Sequence, residues 1–172
     1  IKKAAAWSVF FSLLIIFLYI LIRFRKWQFS LGAVAAVFHD VLIVLAIFSI
    51  FYGIMPFSLE IDQAFIAAIL TIIGYSLNDT VVVFDRVREY MSMYKKREIE
   101  TVMNNALNST LSRTINTSMT TFFVLLVIFL FGGEVIRGFM FALMVGVLVG
   151  TYSSLFVASP IMLDTLKREK TK

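Results

Sequence analysis

Asp79, Asp40, His39 and Arg113 are the side chains most able to do chemistry, because each sits within or at the edge of a long apolar run. An ionisable group at mid-membrane costs about 2.5–3.5 kcal/mol on insertion scales, so it is read first as functional. A carboxylate in low dielectric holds its proton, and a nearby guanidinium favours the ionised form. An acid whose partner comes and goes can therefore take a proton from one side and release it to the other. Arg113, always charged and forked, is suited to hold the ionised acid. His39 could pass protons near neutral pH. Blander readings stand beside these. Asp79 could be a static carboxylate held by Asn or Thr donors. Asp40 could simply bond a neighbouring helix, His39 could be a packing residue, and Arg113 could reach to headgroups.

Spacing places these groups together. Asp79 lies six residues before Asp85, which is about 9 Å inside a boundary at ~1.5 Å of rise per residue. Asp40 lies nine residues past Leu31 on a helix running the other way, about 13 Å in from the same side. One turn beyond Arg113 come Asn116 and Thr117, then Thr120 and Thr121, a polar stripe leading inward. Asn78 adjoins Asp79. Three helices thus bring polar groups to one half of a bundle.

The elements that must hold them follow from composition. Of 172 residues 60% are hydrophobic and 16% charged, and the mean hydropathy is +0.90. Soluble domains run nearer 45–50% apolar and about 25% charged, so an ordinary soluble domain is excluded. Apolar runs of about 20 residues match the hydrocarbon thickness. They predict spans over 4–22, 31–53, 64–86, 115–133 and 138–163 in a single transmembrane domain covering 1–172. Over 98–112, Ile99, Val102, Met103, Ala106 and Leu107 recur at helical spacing opposite Asn104, Asn105 and Asn108. That predicts a separate amphipathic helix lying at the interface against the bundle. The fifth span carries Gly138, Ala142, Gly146, Gly150, Ser154 and Ala158 on one face, a small-residue stripe for close helix packing. It could be a fixed seam or a sliding surface.

Twelve Lys and Arg fall in one set of connections: Arg23, Arg25 and Lys26, then five between Arg86 and Arg97, then four between Lys167 and Lys172. The opposite set holds only Lys2, Lys3 and Arg137. By the positive-inside rule the N-terminus faces out and the C-terminus faces the cytoplasm. That bias explains the net charge of +5 through membrane lipid and topology, and nucleic acid is not an expected partner. There is no cysteine and one histidine, so no metal site is expected. No H-E-x-x-H pair, G-x-S-x-G elbow or phosphate-cradling loop occurs, and the two aspartates lack the Gly-x-Gly-Asp context of intramembrane proteases. No enzyme and no cofactor is expected.

The run Gly74-Tyr75-Ser76-Leu77-Asn78-Asp79-Thr80 through Glu89 resembles a motif of the SecF family of protein-export membrane proteins. The likeness extends to Leu31-Gly32-Ala33, to Phe38-His39-Asp40-Val41 and to Leu111-Ser112-Arg113-Thr114 with Thr117-Ser118. It continues through Phe131-Gly132-Gly133 and the stretch from Gly146 to Ser154. The resemblance implies an all-α membrane protein: five transmembrane helices plus one cytoplasmic-side amphipathic helix, half of a resistance–nodulation–division-type bundle. It implies a subunit that couples proton-motive force to late steps of export, with SecD and the SecYEG channel as partners in the bacterial inner membrane. Asp79 and Arg113 fall at positions implicated in proton conduction. The resemblance also implies an additional N-terminal span and an outer domain that touches exported protein chains. The chain, beginning at Ile1, is therefore expected to be the last five spans, either of a separate SecF or of a fused SecDF. Two alternatives stay open: a proton-driven efflux or lipid transporter of the same superfamily, and a non-conducting scaffold for SecD.

Overall fold

The computed structural model describes residues 2–170. Lys172, counted above with the cytoplasmic charges, lies outside the described residues. The helices are α1 (Lys2–Phe24), α2 (Trp27–Phe51), α3 (Gln63–Met93), α4 (Ile99–Phe131), α5 (Glu134–Ser153) and α6 (Ser159–Lys170). A single wide π-helical turn, Ser154–Ala158, joins α5 to α6.

Local chemistry explains the breaks. Arg25 takes a left-handed conformation at φ 56° and its N–H closes α1 on the Leu21 carbonyl at 2.8 Å. Gly53, at φ 75°, lies just past α2, where a side chain would be strained. Asp62 caps α3 by accepting the Phe65 N–H at 2.8 Å. Gly132 and Gly133 separate α4 from α5, and Glu134 opens α5 with its charge in the first turn.

Four helical stretches are long and apolar enough to cross a membrane: Trp27–Phe51, Gln63–Met93, Ile99–Phe131 and the continuous Glu134–Glu169; Phe10–Phe24 is a shorter apolar segment. The molecule is an all-α membrane protein. α3 packs against α2, α4 and α5, and α1 lies chiefly along α2. At one end Phe24, Phe29 and Phe84 form a buried aromatic knot, with ring centroids 5.0, 5.2 and 6.0 Å apart, that ties α1, α2 and α3 together.

The helix over 98–112 and the span over 115–133 differ from expectation. They form one helix of 33 residues, α4. Nothing in Leu111-Ser112-Arg113-Thr114 breaks a helix, and the buried stripe Ala106, Thr110, Thr114, Ser118 runs straight through the junction. The amphipathic segment is therefore the first turns of α4 and not a separate interfacial element. α3 likewise runs past 86 to Met93. At about 1.5 Å per residue such helices exceed ~30 Å of hydrocarbon, so their ends project beyond it.

Candidate functional site

Asp40 is fully buried on α2. Its Oδ2 accepts the Ser76 hydroxyl of α3 at 2.5 Å and the Ser153 hydroxyl of α5 at 2.8 Å. Its Oδ1 lies 3.1 Å from Nδ1 of half-buried His39. The acid is thus held from two neighbouring helices at once. Such closeness needs small residues. A Cβ on Gly150 would lie 3.0 Å from the Ser76 Cβ, and a Cβ on Gly146 would run into the Ile72 side chain. Gly32, two turns before Asp40, lies so near the π turn that a Cβ there would stand 2.6 Å from the Ala158 carbonyl oxygen. The wide turn itself carries Ser159 donating to the Ser154 carbonyl at 3.0 Å, and Ser154 meets Thr80 of α3 at 2.9 Å.

Asp79 lies one helical turn beyond Ser76 on α3 and is buried. Its Oδ2 accepts the Ser118 hydroxyl of α4 at 3.3 Å. Ser118 in turn accepts the Thr151 hydroxyl of α5 at 2.5 Å and lies 3.5 Å from the Tyr75 hydroxyl, which also reaches Thr121 at 3.4 Å. Three helices therefore meet at Asp79, as they do at Asp40, and α3 and α5 serve both acids. Among the described residues the Asp79 contact is long and single, whereas Asp40 has three partners.

The other residues singled out from the sequence fall as follows. Arg113 is exposed and makes no ion pair with Asp79 among the described residues. Asn78, Asn116 and Thr117 are exposed, and Thr117 back-bonds to the Arg113 carbonyl at 3.0 Å. Arg113, Asn116, Thr117 and Thr120 all lie on the exposed side of α4. Ala142, Gly146, Gly150 and Ser154 are buried along α5 and the π turn, and Gly138 abuts the Ser58 backbone.

The sequence reading missed Ser76, Ser118, Thr151 and Ser153 as partners of the acids. Hydroxyls in helices commonly bond their own backbone, as Thr151 also does to the Val147 carbonyl at 2.8 Å. Spacing alone does not separate that use from a bond across helices.

Residues 1–168 match the family model described as protein export membrane protein SecD/SecF, C-terminal. The chain belongs to the SecD/SecF family. It is 61% identical over 168 residues to protein translocase subunit SecF of Rhodothermus marinus, covering 98% of this chain and 54% of that one. It is 45% identical to protein translocase subunit SecDF of Brucella abortus biovar 1, covering 95% of this chain and 21% of that one. A crystal structure of SecDF from Thermus thermophilus, described as a translocon-associated membrane protein, superposes with a TM-score of 0.85 at 39% identity, covering 96% of this chain and 22% of that one. Another SecDF structure, in a super-membrane-facing form, gives 0.84 at 39% identity over 99% of this chain and 22% of that one. The SecD/SecF fold is thus the fold of this chain. The chain spans about half the length of the SecF relatives it matches, 54% and 49% for two of them.

Proposed function

We propose that this chain is the SecF-side membrane half of a proton-coupled protein-export subunit, with Asp79 as the acid that carries the proton. One observation carries this reading. Asp79 is buried where three helices meet, yet among the described residues it is held by one long hydrogen bond from Ser118. An acid so loosely held can exchange partners, and Arg113 stands on the same helix as Ser118, five residues earlier. Asp40, with three partners, is the fixed counterpart that locks α2 to α3 and α5. The glycine and alanine stripe of α5 supports close packing of that seam.

The remaining parts of the reading come from the family. The partners are SecD, or the SecD half of a fused chain, the SecYEG channel, and exported polypeptides reached through an outer domain. The domain crosses the bacterial inner membrane five times, with its N-terminal side out and its C-terminal side cytoplasmic. The work done is movement of protons and polypeptide, not bond-breaking. Its test is Asp79→Asn in the full-length gene product, with export of a secreted reporter followed in cells with and without a proton gradient. Loss of gradient dependence with normal assembly is expected. Unchanged dependence would make the subunit a scaffold for SecD.

A further inference from the structure

A cavity of about 860 Å³ lies at the end of the bundle where α3 leaves the apolar layer. Four arginines from three helices line it: Arg23 of α1, Arg86 and Arg88 of α3, and Arg113 of α4. Among the described residues two carboxylates line it with them, Asp85 and Glu89, and both are already engaged. Asp85 takes Arg23 at 2.9 Å and Arg88 at 3.3 Å, and Glu89 takes Arg86 at 2.7 Å. Arg113 has no carboxylate within ion-pair distance among the described residues. The wall also carries hydroxyls, with Ser109 accepting the Arg86 Nε–H at 2.9 Å and Ser92 nearby.

We propose that this cavity is a binding site for a phosphate-class anion, supplied by the headgroup of an acidic membrane lipid. Guanidinium groups fork onto phosphate oxygens through paired N–H donors, and hydroxyls complete the shell. Converging arginines from three helices in one recess give that chemistry a defined geometry, unlike scattered surface lysines. The place favours a lipid over a soluble ion. Val82 brings an apolar side chain to the wall of the cavity itself, and Ile22, next to Arg23, is 77% exposed. An acyl chain attached to the phosphate would lie on these side chains, where its contacts are as apolar as in the bilayer. A lipid so placed would brace α1, α3 and α4 from outside the seam that holds the two acids. The site shares Arg113 with the proposed proton path but does not include Asp79, so Asp79→Asn leaves its lining intact.

The test uses the full-length gene product in nanodiscs of phosphatidylcholine alone, with added phosphatidylglycerol, or with added inorganic phosphate. Retained lipid is counted by native mass spectrometry, and phosphate is scored by the shift in thermal midpoint. Wild type is expected to retain phosphatidylglycerol over phosphatidylcholine, and Arg86→Gln to weaken that preference about five- to tenfold. Arg86 pairs with Glu89 of its own helix and donates to Ser109 of α4, both partly exposed contacts of small worth, so its loss is expected to spare the fold. Arg88→Gln gives the same readout if Arg86→Gln fails to assemble. A midpoint shift with inorganic phosphate that either variant abolishes, without lipid preference, supports the anion site with a soluble source. Equal retention of phosphatidylglycerol in wild type and in the folded variants, with no phosphate shift, overturns the proposal.

Discussion

The Ser118 hydroxyl donates to the Asp79 carboxylate at 3.3 Å, and it does so while accepting the Thr151 hydroxyl at 2.5 Å. The order of these two bonds sets a direction: α5 orients Ser118, and Ser118 orients Asp79. Helix movement between α4 and α5 therefore reaches the acid through one hydroxyl.

Ser118→Ala removes the one side-chain donor to Asp79 among the described residues. A hydrogen bond contributes about 0.5–1.5 kcal/mol and this one is long, so gradient-dependent export by the full-length protein is expected to fall about two- to fivefold. Thr151→Val, one step removed, should fall less. The check is the export rate of a secreted reporter at matched protein levels. Equal rates for Ser118→Ala and wild type would remove Ser118 from the pathway.

Asp40 calls for a stability measurement. Asp40→Ala leaves the buried Ser76 and Ser153 hydroxyls without their acceptor. Each orphaned group costs about 1–3 kcal/mol, moderated where a hydroxyl turns back to its own helix, as Ser153 can toward the Gly150 carbonyl at 3.2 Å. A loss of about 2 kcal/mol is expected in denaturant titration of the detergent-solubilised full-length protein. Asp40→Asn keeps an acceptor oxygen and should lose less than half as much. Equal losses would show that charge, not hydrogen bonding, is what the site requires.

Two glycines make a matched pair. A Cβ on Gly32 meets the Ala158 carbonyl at 2.6 Å, whereas a Cβ on Gly74 meets nothing within 4 Å. Gly32→Ala is expected to destabilise by about 1–3 kcal/mol through a forced backbone shift. Gly74→Ala should be neutral or stabilise by up to about 1 kcal/mol through helix propensity. Thermal midpoints of the two variants, measured side by side, decide it, and a stable Gly32→Ala would show that α2 and the π turn yield at this contact.

The Arg23–Asp85 ion pair joins α1 to α3 at 2.9 Å, but its side chains are 39% and 34% exposed. Pairs this open contribute about 0–1 kcal/mol. Arg23→Gln is therefore expected to lower the thermal midpoint by no more than a few degrees. A large drop would mean that α1 depends on this pair more than on its packing along α2.

How much of this was legible beforehand depended on the kind of signal. Apolar runs placed α2, α3, α4 and α5 because hydrocarbon thickness demands a minimum length of helix. Their ends were harder to read. Arg113 marks the edge of an apolar run, but nothing in 111–114 breaks a helix, so α4 is one helix where the sequence reading drew two elements. The acids were legible because charge in an apolar run is rare. Their partners were not, because Ser76, Ser118 and Ser153 are small, common residues whose roles depend on which helix crosses nearby. Thr117 and Asn116 were legible by helical spacing from Arg113, whose exposed side of α4 they share. The π turn at Ser154–Ala158 left no mark in composition; it widens the helix where Gly32 approaches.

The account stands on Asp79 as the proton carrier, and proton movement itself is the most direct readout. The full-length gene product, assembled with its SecD partner, is reconstituted into vesicles enclosing a pH-sensitive dye, and an imposed proton gradient is discharged. Wild type is expected to dissipate the gradient faster than empty vesicles, and Asp79→Asn, which keeps size and removes the titrating proton, to match the empty vesicles. Proton flux through Asp79→Asn equal to that of wild type, at the same density of folded protein, would contradict the account.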